Sequence, residues 1–408
     1  MQRTASWKAV VLVVGLMLGG ASHLQAQPLK VFILAGQSNM QGHVAISTFP
    51  SMADDPKTAP ILREMLNAEG KPRVCKNVWI ASIGCAGNDT NEQTGRLTAG
   101  FGASRFGKLR SNIGPEFTFG VYMEKLVGGP ILIIKTSWGG KSLNTDFRPP
   151  SAGPYVWNSY EIAQLKRRGA NMAQIKADKI KATGVYYRLM IGYVRKVLAN
   201  IKRVDPQYNP KQGYELAGFV WFQGWNDMVD SWTYPQRKRP GGYDLYSQLM
   251  GMFIEDVRKD LAAPHMPFVI GVMGIGGMHV DKGHIQMKYF RQAEVAPTLL
   301  PQFKGNVVAV QTAPYWLDKL AMLHARMSRY WRKVNAIVAA EKNRSLQNKM
   351  RVMAKNFTPE EWKALQGTSN YSFHYLGAAR IMAPIGKAFA EAAAKLDKQT
   401  QLTVVRGK

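Results

Sequence analysis

The sequence predicts an α/β protein, a three-layer α/β/α sandwich with a mainly parallel central sheet. Short apolar runs recur at Val31 to Ala35, Val78 to Ile83, Ile131 to Lys135, Leu216 to Phe222, Phe268 to Val272 and Val307 to Val310. Their nearly continuous apolar character is what strands covered on both faces require; a half-exposed strand would alternate. Between the runs lie segments with apolar residues at helical spacing. Strands alternating with helices, joined by right-handed crossovers, stack into a parallel sheet between two helix layers.

Each run is followed by glycine or small polar residues, which end a strand and turn the chain. After the third run, Leu189, Met190, Tyr193, Val194, Val197, Leu198 and Ile201 form one helical stripe. After the fourth, Tyr246, Leu249, Met250, Phe253, Ile254 and Val257 form another. Near the end, Ile381, Ile385, Phe389 and Ala392 predict a helix from about 376 to 395 despite Pro384. The stretches 86 to 116, 140 to 184 and 223 to 243 are long and rich in Gly, Pro, Asn and aromatic residues. They fall after strands, where open parallel sheets bind ligands, so they read as cleft rims rather than separate domains. With no repeat and no linker, residues 27–398 read as one domain, and 399–408 as a flexible tail.

Arg3 and Lys8, an apolar stretch from Ala9 to Leu18 and Ala26 before Gln27-Pro28 have the order of a signal peptide over residues 1–26. The apolar stretch is short for a membrane span, so no integral span is expected after signal removal and the protein is expected to be secreted or periplasmic. Removing residues 1–26 takes away Arg3 and Lys8 and no acid, lowering the formal charge from +27 to +25. Such a surface attracts polyanions at long range. The basic residues are dispersed, however, with short clusters only at Lys166-Arg167-Arg168 and Arg237-Lys238-Arg239, and nucleic acid is not an expected partner. Cys75 and Cys85 flank a strand, which places them far apart for a bridge unless the chain folds back. Neither cysteines nor histidines have metal-site spacing; His279, Asp281 and His284 are the nearest approach, and neither a metal nor a cofactor is called for.

Ester hydrolysis needs an activated hydroxyl, a base that later acts as acid, and donors for a tetrahedral oxyanion. Ser38 follows the first strand, where its hydroxyl would stand at the sheet edge, although serines are also common caps and turn formers. Gly36-Gln37-Ser38-Asn39-Met40 resembles the nucleophile block of the SGNH (GDSL-type) hydrolases, in their sialate O-acetylesterase-like and acetylxylan esterase-like branch. The likeness continues in order through Trp138-Gly139-Gly140-Lys141-Ser142-Leu143, Trp221-Phe222-Gln223-Gly224-Trp225-Asn226-Asp227 and Phe373-His374-Tyr375-Leu376-Gly377. The resemblance implies a flavodoxin-like sandwich. It implies Ser38 as nucleophile, His374 as base, and an oxyanion hole built from Ser38, Gly139 or Gly140 and the Gln223 amide. Asn39 is expected to brace the nucleophile loop.

Two positions depart from the family pattern. The acid that usually stands three residues before the histidine is replaced by Tyr371, preceded by Asn370, and the glutamate after Gln-Gly is replaced by Trp225. Asp227 is the first candidate for a substitute acid and Asp230 and Asp281 are weaker ones, while Asn370 or a backbone carbonyl could orient the ring instead. Trp138, Phe147, Tyr155, Trp157, Tyr160, Trp225, Trp232 and Tyr234 crowd the expected rim, at least half of them as structural residues; aromatic planes suit sugar faces. The expected activity is removal of O-acetyl groups from a polysaccharide, oligosaccharide or sialic acid, and the alternative is a catalytically impaired glycan-binding protein on the same fold. Lys141, Arg148 and the Arg237 to Arg239 cluster leave open whether the acetylated glycan is anionic.

Overall fold

The computed structural model describes residues 27–104, 111–279 and 282–406; the expected signal segment lies outside them. The strands are β1 (Leu29–Gly36), β2 (Val44–Ala45), β3 (Val78–Ile83), β4 (Glu92–Arg96), β5 (Asn112–Ile113), β6 (Ile131–Ser137), β7 (Tyr214–Phe222), β8 (Phe268–Val272) and β9 (Val307–Gln311). Seven of them form one sheet in the order β4-β3-β6-β1-β7-β8-β9, and β2 pairs with β5. All six expected runs are strands, and their mutual pairings are parallel.

β4 was not expected. It pairs antiparallel with β3, running Glu92 to Arg96 along the sheet edge. Its side chains are polar and half-buried, so an apolar scan has nothing to detect, and its identity comes from pairing.

The helices are α1 (Ser38–Gln41), α2 (Ala59–Met65), α3 (Glu116–Val127), α4 (Ser159–Arg167), α5 (Met172–Ala182), α6 (Val185–Ala199), α7 (Trp225–Val229), α8 (Asp244–Asp260), α9 (Ile285–Val295), α10 (Asp318–Ala340), α11 (Leu346–Ala354), α12 (Pro359–Leu365) and α13 (Ala379–Arg406). Successive side chains of β7 show why there are three layers. Phe219 and Trp221 meet Phe253 of α8, at 6.0 and 4.4 Å between ring centroids, while Phe222 turns the other way onto Phe389 of α13 at 5.2 Å. With large apolar groups on both faces, the strand is buried only if each face is covered. α13 runs through Pro384 and continues past the expected end near 395, so residues 399 to 406 extend the helix rather than forming a tail.

Helices α10 to α12 form an appendage between β9 and the final helix. Val334, Val338, Val352 and Met353 give it a small core of its own. No described helix is long and apolar enough to cross a membrane. Cys75 and Cys85 are unbridged and buried, and burial pushes the Cys75 thiol up to about 12.

Candidate active site

The carboxyl end of β1 is pressed against β7. A Cβ on Gly36 would lie 2.1 Å from the Phe222 carbonyl oxygen, so the approach requires glycine. Gln37 then ties the turn to the loop after β7. Its Oε1 accepts from the N–H groups of Gly224 (3.1 Å) and Asn226 (3.2 Å), and its Nε2 donates to Asn226 Oδ1 (2.8 Å). Ser38 opens α1 and is 8% exposed. Beneath α1, the ammonium of Lys135 donates to the carbonyls of Gln41 (2.8 Å) and Phe101 (3.0 Å) and pairs with Glu116 at 2.8 Å, both side chains being fully buried. A charge on strand β6 is tolerated because each of its donors is spent.

The loop after β6 brings Gly139 beside the serine: a Cβ on Gly139 would lie 3.8 Å from Ser38 Cβ. Asp227, wholly buried, holds that loop. Its carboxylate accepts from the N–H groups of Leu143 (2.8 Å) and Asn144 (3.1 Å), from Gln223 Nε2 (2.6 Å) and from the Tyr234 hydroxyl (3.2 Å). Burial outweighs these donors and pushes the carboxyl up to about 6. Glu294, also buried, accepts from the Met273 N–H (3.0 Å), and burial holds it well above the usual carboxylate range. The backbone N–H groups of Ser38, Gly139 and Gly140 have no backbone acceptor among the described residues.

His374 reaches this edge from the far end of the chain. The side-chain amide of Asn39 donates to the Phe373 carbonyl at 3.2 Å, so the residue after Ser38 is bonded to the residue before His374. His374 Nδ1 lies 3.0 Å from Asn370 Oδ1. The Tyr371 N–H donates to the same oxygen (2.8 Å), which fixes the amide with its oxygen toward the ring. Nδ1 is therefore assigned the proton and Nε2 the lone pair, the tautomer a general base needs. The imidazole of His43 stacks on that of His374, with centroids 4.0 Å apart and planes within 6°. Directly after His374 the backbone turns through two positive-φ residues, Tyr375 (51°) and Leu376 (61°). Such positions cost roughly 1–3 kcal/mol each and persist where surroundings over-determine them. Here the buried Tyr375 hydroxyl accepts from the Gly274 N–H (2.8 Å) and bonds Thr312 Oγ1 (2.7 Å).

Several expectations are corrected. Asp227 does not orient His374, since its acceptor positions are filled by the loop after β6, Gln223 and Tyr234. Asp230 is closed onto Trp232 and Thr233 of its own turn, and Asp281 lies outside the described residues. The place against Nδ1 belongs to Asn370. Gln223 Nε2 has Asp227, the Lys141 carbonyl (3.0 Å) and Gln37 Oε1 (3.2 Å) as acceptors for two hydrogens, leaving none for an oxyanion in this conformation. Trp138 and Arg148 are not rim residues. Trp138 is buried and donates to the Asp89 carbonyl, and Arg148 is buried and staples its own loop through Asn144, Ala152 and Gly153. Of the other aromatic rim candidates, Phe147, Tyr155 and Tyr234 are buried as well. Lys141 and Trp225 stay half-exposed, Lys141 with its ammonium 4.1 Å from the Tyr186 ring centre. Gln37, His43 and the hydroxyl of Tyr375 were missed. Gln37 and His43 flank the serine in sequence, but side-chain stacking and cross-loop bonding leave no periodic signal.

A parallel sheet with a serine turn, a glycine turn and a histidine turn gathered at its carboxyl edge defines an SGNH-type hydrolase. The family model "carbohydrate esterase, sialic acid-specific acetylesterase" matches residues 28–327, and the chain belongs to that family. It is accordingly a carbohydrate O-acetylesterase, a carboxylic ester hydrolase. The matched span includes Ser38, Gly139 and Asp227, and ends before His374. No curated protein matches the chain. Similar solved structures include a protein from Arabidopsis thaliana, at 17% identity over 70% of this chain and 86% of that one, with a TM-score of 0.37. XAC1771, a carbohydrate acetylesterase from Xanthomonas citri, is 13% identical over 69% of this chain and 49% of its own, with a TM-score of 0.37. NanS is 15% identical over 71% of this chain and 79% of its own, with a TM-score of 0.39.

Proposed function

We propose that the chain deacetylates carbohydrate through an acetyl-enzyme on Ser38. The Ser38 oxygen attacks the acetyl carbonyl carbon while its proton passes to His374 Nε2. The backbone N–H groups of Ser38 and Gly139 or Gly140 hold the oxyanion, each donor contributing about 3 kcal/mol to the transition state. Collapse expels the sugar alkoxide, which takes the proton from His374; water, deprotonated by the same ring, then releases acetate and restores the serine. Asn370, a neutral amide, positions the imidazole where relatives of this branch use an acid.

The observation that supports this reading is the joining of the serine and histidine turns through Asn39 and Phe373, with Asn370 against Nδ1. The recombinant protein should hydrolyse an aryl acetate, and Ser38→Ala should lower that rate by roughly four orders of magnitude or more with an unchanged melting temperature. Unaltered hydrolysis in that variant, or glycan binding by the wild type without acetate release, would refute the acetyl-enzyme. An exported location and an acetylated glycan as substrate belong to the same proposal, and acetate release from a panel of acetylated sugars would rank sialic acid against polysaccharide.

A further inference from the structure

Next to His374 lies a groove of about 760 Å³ that the mechanism does not use, within the roughly 300–1,000 Å³ range of small-ligand sites. Its walls come from α10, α11, α12 and the segment that follows, mostly beyond the residue at which the family match ends. The lining combines the aromatic planes of Trp331, Trp362 and Tyr371 with the neutral hydrogen-bonding groups of Ser328, Gln366 and Thr368. None of its thirteen residues is a lysine, arginine, aspartate or glutamate, although the chain as a whole is strongly basic.

The groove is continuous with the site. Asn370, which contacts His374 Nδ1, is one of its lining residues. Tyr371, 57% exposed where the family usually has its acid, stacks on Phe373 at 5.1 Å and 14°. Phe373 in turn meets Trp225 at 5.6 Å, so a row of three rings leads from the groove along His374 to the sheet edge. Trp331 and Leu346, both lining the groove, keep 36% and 69% of their surface open.

We propose that this groove binds the uncharged glycan chain that carries the acetylated sugar, making the protein an esterase of neutral oligo- or polysaccharide. The proposal rests on the esterase reading above. Ring faces pack on aromatic planes, sugar hydroxyls bond neutral side chains, and a charged glycan would find no lysine, arginine or carboxylate in the lining, where burial holds the one imidazole, His324, below its usual range.

The test uses partially O-acetylated xylo- and manno-oligosaccharides of two to six sugars, with O-acetylated sialic acid as the anionic monosaccharide. For the wild type, kcat/KM should rise at least tenfold with chain length on a neutral series, mainly through KM. Trp331→Ala and Leu346→Asp, both at exposed positions, should each remove most of that gain. In isothermal titration, Ser38→Ala should bind the longest neutral oligosaccharide about tenfold tighter than Ser38→Ala carrying Trp331→Ala. Acetate release without dependence on chain length, or a length gain and binding that survive both groove substitutions, would overturn the groove and leave the esterase standing. Absence of acetate release from every ester would overturn the esterase reading, while the titration would still decide what the groove holds.

Discussion

The serine side and the histidine side of the site are built by opposite means. Around Ser38, Gln37, Asp227, Lys135 and Glu116 are buried and hydrogen-bonded several times over, and they join β1, β6 and β7 into one block. Around His374, a half-exposed ring is set against a neutral amide and a stacked imidazole, before a strained turn at the edge of an open groove. The lesson is that removing a partner on the serine side should cost stability, whereas removing one on the histidine side should cost rate while the fold survives.

The largest expected effect lies under α1. Lys135→Met should leave Glu116 buried without its counter-ion and lower unfolding free energy by about 3–5 kcal/mol, read from urea melts. A loss below about 1 kcal/mol would show that the serine side is less tightly determined than its bonding suggests.

Asp227→Asn comes next. It sets an amide NH2 where a carboxyl oxygen meets donors, and about 3 kcal/mol of stability should be lost near pH 4, where the native carboxyl still holds its proton, along with the placement of Gly139. An orienting acid would instead lose turnover with the melt intact. The same residue sets a pH dependence. Its folded value, about 6, lies above the ordinary 3.8, so between these values the folded chain holds a proton that the unfolded chain has released. Stability should therefore fall as pH rises from about 4 to 6, by roughly 3 kcal/mol from this group. In Asp227→Asn that part of the slope should vanish, leaving the contribution of Glu294, which has the same sign.

On the histidine side, Asn370→Ala should slow aryl acetate turnover roughly 10- to 100-fold with little change in melting temperature, because the ring loses its tautomer and aim. A large drop in melting temperature at constant kcat would erase the contrast between the two sides. The smallest effect is a shift of profile. Asn370→Asp should move the acidic limb of the kcat/KM profile up by about one pH unit, since a carboxylate favours the imidazolium; an unmoved limb would mean that Oδ1 does not govern the ring.

Much of the sheet was legible because buried parallel strands leave apolar runs that survive any change of context; β4 was not, because a polar edge strand is defined by its neighbour. Ser38, Gly139 and His374 were legible as motif residues, and Asn370 as one of several replacements for the acid, after Asp227. Choosing between Asn370 and Asp227 was beyond the sequence, since both are polar residues near the right blocks and only folding shows that Asp227 is already committed to the loop after β6. Gln223 was misjudged for a related reason, because a side-chain amide has two hydrogens and sequence does not count the acceptors waiting for them.

Taken alone, the sequence determined the layered fold and the family chemistry, since burial pattern and block order are properties of the chain itself. The tertiary structure decided which groups face each other: the amide against the imidazole, the carboxylate under the loop, and the groove between the appended helices and the histidine turn. Hydrogen bonds reach only about 3 Å, and the 84 positions between Leu143 and Asp227, or the 334 between Asn39 and Phe373, close to that distance only when the layers pack, while Asn370 and His374, four positions apart, meet through the turn that packing holds.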